Sequence, residues 1–287
     1  MKVTILEPSG YCAGVERAMN LAIETKKKNP HERVVILGML VHNKASLKVL
    51  KKHHIKTIYR KDCSLEQLAT MIKKPSLVIL SAHGHSEKVE KILLSNGHKI
   101  IDSTCPFVKN SFKEISKAVK EKKKIFYIGV ENHPESTAAL SISNNVTLID
   151  IKHPVIPSDI KEEILVISQT TLSKYETEEV NNLIKKAYPK ATFTNSICDA
   201  STRRQDSIKK ISNDTDLIYI VGDANSNNSK TLYSLAKQMH KNMAVKQIET
   251  AKDIKKKDLI GLSHIVIASG ASTPKEVIES VKNKLLN

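Results

Sequence analysis

Three cysteines are the residues whose type and spacing most clearly indicate chemistry. Cys12, Cys105 and Cys198 are separated by equal intervals in the 287-residue chain. Each cysteine stands between a strand-like apolar run and a helix-like segment. Cysteine thiolates are ligands for zinc and for iron–sulfur clusters. Three thiols placed at the same point of three repeated units therefore suggest one shared metal centre.

The flanks of the cysteines repeat as well, in a pattern of strand, helix and polar loop. Apolar residues recur at helical spacing after Cys12 and Cys105, whereas the segment after Cys198 is more polar, with Ile208 and Ile211 as its main apolar residues. We interpret nine apolar runs as strands, some of them ending in polar turns. These runs are 2–6, 33–38, 77–84, 98–101, 124–129, 164–171, 191–194, 216–222 and 265–272.

Near-continuous Val, Ile and Leu runs that alternate with helices are typical of parallel sheets covered on both faces. The predicted fold class is α/β, with three pseudo-repeated α/β/α units of about 90 residues that carry small, mostly parallel sheets. Ligands collect at the carboxyl ends of such strands, so we expect these ends to converge on a central cavity that could hold the shared metal centre. The predicted domains are 13–104, 105–196 and 197–287, with the N-terminal segment 1–12 associated with the third.

Composition limits the classes of function. The chain shows no signal-peptide pattern and no apolar run near the ~18–20 residues that span a bilayer, so we expect a soluble, cytoplasmic protein without a membrane partner. The net charge of +16 raises the question of nucleic-acid binding. The lysine runs are scattered, few aromatics accompany them and no nucleic-acid-binding motif occurs, so solvated lysine-rich faces are the preferred interpretation. A positive field also suits an anionic substrate or an acidic electron donor.

The cysteine trio has three interpretations at this point. A structural zinc site usually needs four protein ligands, paired at short spacings that this chain lacks. Buried structural thiols are the default for a lone cysteine, and we assign Cys63 to that class because it has no counterpart in the repeats. The third interpretation is an iron–sulfur cluster held by thiolates, which with three ligands leaves one iron open.

Nine short motifs run in order along almost the whole chain. They are Gly10–Ala18 (GYCAGVERA), Val41–Asn43 (VHN), Ser81–Gly84 (SAHG), Thr104–Pro106 (TCP), His133–Glu135 (HPE), Gln169–Thr171 (QTT), Ile197–Ala200 (ICDA), Asn225–Ser229 (NSNNS) and Gly270–Ser272 (GAS). Together they resemble the LytB/IspH family, the 4-hydroxy-3-methylbut-2-enyl diphosphate reductases of isoprenoid biosynthesis. One such motif alone is weak, but many separated motifs in one order are specific.

The resemblance implies an oxygen-sensitive oxidoreductase of the methylerythritol phosphate pathway. The family catalyses the last step of that pathway, which converts (E)-4-hydroxy-3-methylbut-2-enyl diphosphate into isopentenyl and dimethylallyl diphosphates with two electrons and protons. As the electron donor, an acidic ferredoxin or flavodoxin would suit the basic surface of the chain. The resemblance implies one [4Fe-4S] cluster per chain, held by Cys12, Cys105 and Cys198 with one open iron. Glu135 is the implied proton donor, and Thr170 and His133 would orient the substrate hydroxyl and relay protons. The implied substrate-binding residues are His42, His83, His133, Thr170, Ser226, Asn227, Asn228 and Ser272.

The chain departs from the family pattern at three positions. Ser9 and Ser201 stand where the family commonly has arginine and threonine, and Asn227 replaces a serine in the Asn-Ser-Ser-Asn turn.

Two rival functions stay open, a zinc- or thiol-based redox protein without iron and a basic nucleic-acid-binding module. Brown protein with about four iron and four sulfide per chain after anaerobic purification would separate the cluster from both.

Overall fold

The computed structural model describes residues 1–287 of the chain. The strands, in chain order, are β1 (Lys2–Ile5), β2 (Val34–Leu37), β3 (Lys56–Ile58), β4 (Leu77–Leu80), β5 (Lys99–Asp102), β6 (Lys124–Gly129), β7 (Val146–Asp150), β8 (Ile164–Ser168), β9 (Thr192–Phe193), β10 (Leu217–Val221), β11 (Ala244–Ile248) and β12 (His264–Ser269). The helices are α1 (Ala13–Lys28), α2 (Lys44–Lys52), α3 (Leu65–Thr70), α4 (Glu87–Ser95), α5 (Pro106–Lys120), α6 (Pro134–Leu140), α7 (Lys174–Ala187), α8 (Asp199–Lys209), α9 (Asn227–Met239) and α10 (Lys275–Leu286). No helix combines the length and apolarity that crossing a bilayer requires.

The strands form three four-stranded sheets in which every pair is parallel. Their orders are β1-β12-β10-β11, β3-β2-β4-β5 and β7-β6-β8-β9. Read from its other edge, the first sheet is β11-β10-β12-β1. All three sheets then share one arrangement, in which one edge strand (β11, β3 or β7) lies between the two central strands in the chain. The predicted α/β class with small parallel sheets is confirmed.

The chain divides into two compact units. Unit 1 comprises Met1–Glu16, His42–Val49 and Cys198–Asn287, and unit 2 comprises Arg17–Val41 and Leu50–Ile197. The sheet that contains β1 and β10–β12 lies in unit 1, and the other two sheets lie in unit 2. The predicted domain limits at 13–104, 105–196 and 197–287 stay a prediction.

Burial explains which strands the sequence reveals. Strands β2, β4, β10 and β12 are buried at every residue, so both faces of these central strands are covered. All nine predicted runs overlap a strand. The three strands that the sequence did not reveal, β3, β7 and β11, are edge strands with mixed polar and apolar residues.

Each sheet is fixed to helices through an apolar core. In unit 1, β10 and β12 pack against Ile278, Val281 and Leu285 of α10. In unit 2, Ile115 of α5 packs against β6, and a separate core joins β2 and β4 to α3 and α4. Burying one such aliphatic side chain contributes about 1.5–3 kcal/mol. Cys63, which we predicted to be a buried structural thiol, is half-buried and packs against the core around β2 and β4.

The helices that follow the three cysteines are all present. Helix α5 begins at Pro106, whose missing N–H costs nothing at the first helical position. Helix α8 gave a weak pattern in the sequence because its buried face is largely polar. That face consists of Ser201, Arg204, Gln205 and Ile208.

Candidate functional site

Each cysteine of the trio stands at the N-terminus of a helix. Cys12 directly precedes α1, and Cys105 and Cys198 are the N-cap residues of α5 and α8. Neither N-cap cysteine uses its sulfur to cap its helix, and all three thiols are partly buried. The positive end of a helix dipole stabilises a thiolate. Three such thiols are a donor set that fits an iron–sulfur cluster.

Two of these cysteines, Cys12 and Cys198, belong to unit 1. The Cys12 N–H donates to the Ala271 carbonyl at 3.0 Å, in the loop after β12. The Cys198 thiol donates to Ser201 Oγ at 3.2 Å, and Asn228 Nδ2 donates to the same oxygen at 3.2 Å. Ser201, one of the three departures from the family pattern, therefore joins a cluster-ligand candidate to a substrate-binding candidate.

The substrate-binding candidates of unit 1 cluster around the N-terminus of α9. Ser226 is the N-cap residue, and its Oγ accepts a hydrogen bond from the Ser229 N–H at 3.4 Å. Asn227 opens the helix, and Asn228 Oδ1 accepts from the Ala271 N–H at 2.9 Å. Such a helix start, with N–H groups and a positive dipole end, favours phosphate groups.

Two glycines allow α9 to approach the sheet this closely. A Cβ at either Gly222 or Gly270 would lie 2.2 Å from Ser229 Oγ, which is far inside van der Waals contact. Gly222 follows β10 and Gly270 follows β12. Glycine at both strand ends therefore lets the buried Ser229 sit between the two loops.

The remaining unit 1 candidates, His42 and Ser272, contact each other. Ser272 Oγ donates to the His42 carbonyl at 3.1 Å. Burial lowers the pKa of the His42 imidazole, and Lys230 lowers it further, while Asp223 acts in the opposite direction. The buried Asp223, which the sequence did not single out, also accepts from the Lys44 N–H at 3.1 Å. Without a bound anion, His42 is therefore a neutral hydrogen-bonding group at pH 7.

The proton-donor candidates Glu135 and Thr170 are joined by two hydrogen bonds in unit 2. The Thr170 N–H donates to Glu135 Oε1 at 2.8 Å, and Thr170 Oγ1 donates to Oε2 at 2.9 Å. Thr170 is the second residue after β8, and Glu135 lies on the first turn of α6, after β6. Because β6 and β8 are parallel neighbours, their carboxyl ends bring the two side chains together.

Tyr127 completes this network and was missed by the sequence analysis. Its hydroxyl, on the central strand β6, donates to Glu135 Oε1 at 3.2 Å, and its ring is fully buried. We interpreted it only as part of an apolar strand. A hydroxyl in an otherwise aliphatic buried run was the available signal, because buried tyrosine hydroxyls usually need a partner.

The surroundings of Glu135 change its acidity. Only 1% of its surface is exposed, and burial raises the pKa of its carboxyl from 4.5 to about 7, although the hydrogen bonds from Thr170 and Tyr127 act in the opposite direction. Burial dominates because the charged form loses its hydration. Glu135 therefore retains a large protonated fraction at neutral pH, as a general acid requires.

Two histidines lie beside this acid in unit 2. His133 is the N-cap residue of α6, and its Nδ1 accepts from the Glu135 N–H at 3.2 Å. The His83 and His133 rings meet edge to face, with centroids 5.6 Å apart. Cys105 also belongs to this unit, and its N–H donates to the Ala82 carbonyl, next to His83, at 3.0 Å.

A buried glutamine fixes the loops around the acid. Gln169 Oε1 accepts from the Val130 N–H at 3.0 Å and from Ser136 Oγ at 3.2 Å, and its Nε2 donates to Thr171 Oγ1 at 3.0 Å. These bonds tie the loops after β6 and β8 to α6. Gln169 belongs to the Gln169–Thr171 motif, but the sequence did not assign it a role. Its hydrogen bonds hold the two loops that carry Glu135 and Thr170 in place.

Comparison with known proteins gives a consistent result. A family model described as "LytB protein" matches residues 3–286. A Malacoplasma penetrans protein named 4-hydroxy-3-methylbut-2-enyl diphosphate reductase is 34% identical over 281 residues, covering 96% of this chain and 93% of its own. A Wolbachia pipientis protein of the same name is 33% identical over 291 residues, covering 99% and 92%.

Solved structures agree with the sequence relatives. The Plasmodium falciparum E-1-hydroxy-2-methyl-but-2-enyl-4-diphosphate reductase superimposes with a TM-score of 0.88 at 26% identity, covering 100% of this chain and 88% of that one. These likenesses define the class of the protein, which is an oxidoreductase with relatives among the iron–sulfur enzymes. The chain belongs to the LytB family, as its motifs indicated.

Proposed function

We propose that the chain catalyses the reductive dehydroxylation of (E)-4-hydroxy-3-methylbut-2-enyl diphosphate to isopentenyl and dimethylallyl diphosphates. The names of its relatives support the substrate and the reaction. The observation that carries the proposal for this chain is Glu135, a buried carboxyl with a pKa of about 7 that is hydrogen-bonded to Thr170. A reaction that expels hydroxide needs such an acid.

We assign Cys12, Cys105 and Cys198 as the ligands of one [4Fe-4S] cluster. When bound through three thiolates, such a cluster supplies electrons and one open iron, a Lewis acid toward the alcohol oxygen of the substrate. The position of each thiol at a helix N-terminus supports the assignment, because the positive end of the helix dipole stabilises an anionic centre placed there. The alternative of a zinc site has no fourth ligand with the usual short spacing.

Proton delivery is assigned to the network around Glu135. A hydroxyl group is a poor leaving group until it is protonated, and general acid catalysis contributes about 10²–10⁴ in rate. Thr170 Oγ1 donates to Glu135 Oε2, and a hydroxyl can donate and accept at once, so Thr170 suits a relay between the acid and the substrate oxygen. His133 contacts the Glu135 backbone and is assigned to the same end of the substrate.

The diphosphate is assigned to side chains that donate hydrogen bonds. Ser226, Asn227 and Asn228 stand at the start of α9, where N–H groups and the dipole favour an anion. The other assigned ligands are His42, His83 and Ser272. Binding of the anion would raise the lowered pKa of His42, because a negative charge stabilises the imidazolium. The histidine would then form a charge-assisted hydrogen bond, roughly twice as strong as a neutral one.

The reaction consumes two electrons, which an external donor must supply. The net charge of +16 favours an acidic protein, and a ferredoxin or flavodoxin meets this requirement. We also place the protein in the cytoplasm, where thiols stay reduced.

Anaerobic turnover tests this function. The purified protein, supplied with a chemical reductant and the diphosphate, is expected to consume the substrate and release both isopentenyl and dimethylallyl diphosphates. Glu135→Gln should retain the cluster and the substrate while losing almost all turnover, because it removes the proton and little shape. Glu131→Gln, an exposed carboxyl four residues earlier, is the matched control and should retain full activity. Full activity of Glu135→Gln would refute the role of Glu135, and no consumption by the wild type would refute the function.

A further inference from the structure

Arg204 is a buried cation in unit 1 that the catalytic assignments above do not use. It lies on α8, and only 3% of its surface is exposed. Its Nη2 donates to the Gly10 carbonyl at 2.7 Å, and its Nη1 donates to the Ala200 carbonyl at 3.2 Å. Its Nε is buried and has no hydrogen-bond partner.

The two carbonyls lie next to two of the assigned cluster ligands. Gly10 is two residues before Cys12, and Ala200 is two residues after Cys198. One guanidinium therefore bridges the two segments that carry these thiols. The planar, forked geometry of arginine makes such a bridge rigid, and lysine, with a single ammonium, does not reproduce it.

The charge of Arg204 lacks a carboxylate partner within ion-pair distance. Burial, the largest effect, lowers the pKa of the guanidinium, while the nearby Cys12 and Cys198 thiols and Glu7 raise it. Arginine nevertheless remains protonated in proteins. A buried, unpaired charge is costly unless an opposite charge compensates it. Cys12 and Cys198 are near enough to interact with this charge, and both are assigned to an anionic metal centre that could compensate it.

We propose that Arg204 is a positioning residue that holds the Cys12 and Cys198 segments together and makes the cluster easier to reduce. The inference rests on the proposed function, because it requires the cluster. An added electron makes a thiolate-bound cluster more negative, so a fixed cation nearby stabilises the reduced form more than the oxidised form. Placing the cation within the protein, away from water, limits the screening of this effect by salt.

The reduction potential of the cluster tests the charge. In an anaerobic redox titration followed by absorbance and electron paramagnetic resonance, Arg204→Gln should lower the reduced-to-oxidised ratio about tenfold at a fixed applied potential, which is ~59 mV for one electron. Arg204→Lys keeps the charge and should shift the ratio by less than half as much on a logarithmic scale. Arg203→Gln removes the neighbouring exposed charge and should match the wild type.

The rate of iron loss tests the bridge between the two segments. This second measurement uses Arg204→Lys, so it also serves if Arg204→Gln does not fold. Arg204→Lys loses one of the two carbonyl bonds, so a chelator should remove its iron severalfold faster than it removes iron from Arg203→Gln. Equal rates for these two variants, or an Arg204→Gln potential equal to that of Arg203→Gln, would overturn the role of Arg204. A wild-type protein without a cluster would instead overturn the proposed function, and this inference with it.

Discussion

The pKa of Glu135 predicts how the folding stability of the protein depends on pH. The carboxyl has a pKa of about 7 in the folded protein and an ordinary value of 4.5 in the unfolded chain. Between these values the folded state keeps a proton that the unfolded state has lost, so the free energy of unfolding falls as pH rises. The stability that the protonated Glu135 carboxyl contributes is fully present below about pH 4.5 and is lost above about pH 7.

The size of this contribution follows from the difference between the two pKa values. They differ by about 2.5, and each pKa unit corresponds to about 1.4 kcal/mol, so the carboxyl accounts for a loss of about 3 kcal/mol between pH 4.5 and pH 8. Glu135→Gln should remove this loss, because an amide does not titrate. The amide oxygen can still accept from the Thr170 N–H and the Tyr127 hydroxyl, and its nitrogen can donate to Thr170 Oγ1.

Urea unfolding of the cluster-free protein at the two pH values is the assay. The wild type should lose about 3 kcal/mol more than Glu135→Gln between pH 4.5 and pH 8. Glu131→Gln should follow the wild type, because that side chain is exposed. If wild type and Glu135→Gln show the same pH dependence, the carboxyl is not buried with a raised pKa, and the reasoning fails.

Three further substitutions follow from single contacts. Thr170→Val removes a hydrogen bond that lowers the pKa of Glu135, so the alkaline limb of the kcat profile should move to higher pH, and an unmoved limb would contradict the contact. Ser226→Ala removes the N-cap bond of α9 and should lower the free energy of unfolding by about 1 kcal/mol; a change within a few tenths would argue against the cap. His42→Ala should weaken binding of the diphosphate substrate at unchanged iron content, and unaltered affinity in a calorimetric titration would remove His42 from the site.

The sequence predicted the central strands and the cysteine-bearing helix starts because both leave local patterns. Strands such as β2 and β10 are buried on both faces, so their residues form continuous apolar runs. The edge strands β3, β7 and β11 escaped notice because half-exposed strands carry mixed residues, as in Lys56–Ile58. The sequence signal for helix α8 was weak for a related reason, because three of its buried residues are polar and only Ile208 is apolar. The polar ones are Ser201, Arg204 and Gln205.

The supporting residues of the candidate site depended on the fold and were not predictable from local pattern. Tyr127 contacts Glu135 because neighbouring parallel strands end at the same edge, and nothing in the strand sequence names its partner. Arg204 likewise meets Gly10, which is far away in the chain, only through the fold of unit 1. The sequence motifs identified the candidate reactive groups. The acidity of Glu135, however, is set by its burial, which depends on the folded structure and not on local sequence.

The metal content of the cysteine variants tests the central claim most directly. Wild-type protein purified without oxygen should contain about four iron and four inorganic sulfide per chain. Cys12→Ser, Cys105→Ser and Cys198→Ser should each lose most of both, whereas Cys63→Ser, which replaces a thiol packed against an apolar core, should match the wild type. Loss of iron in Cys63→Ser, full iron in one of the other three variants, or zinc in place of iron in the wild type would contradict the account.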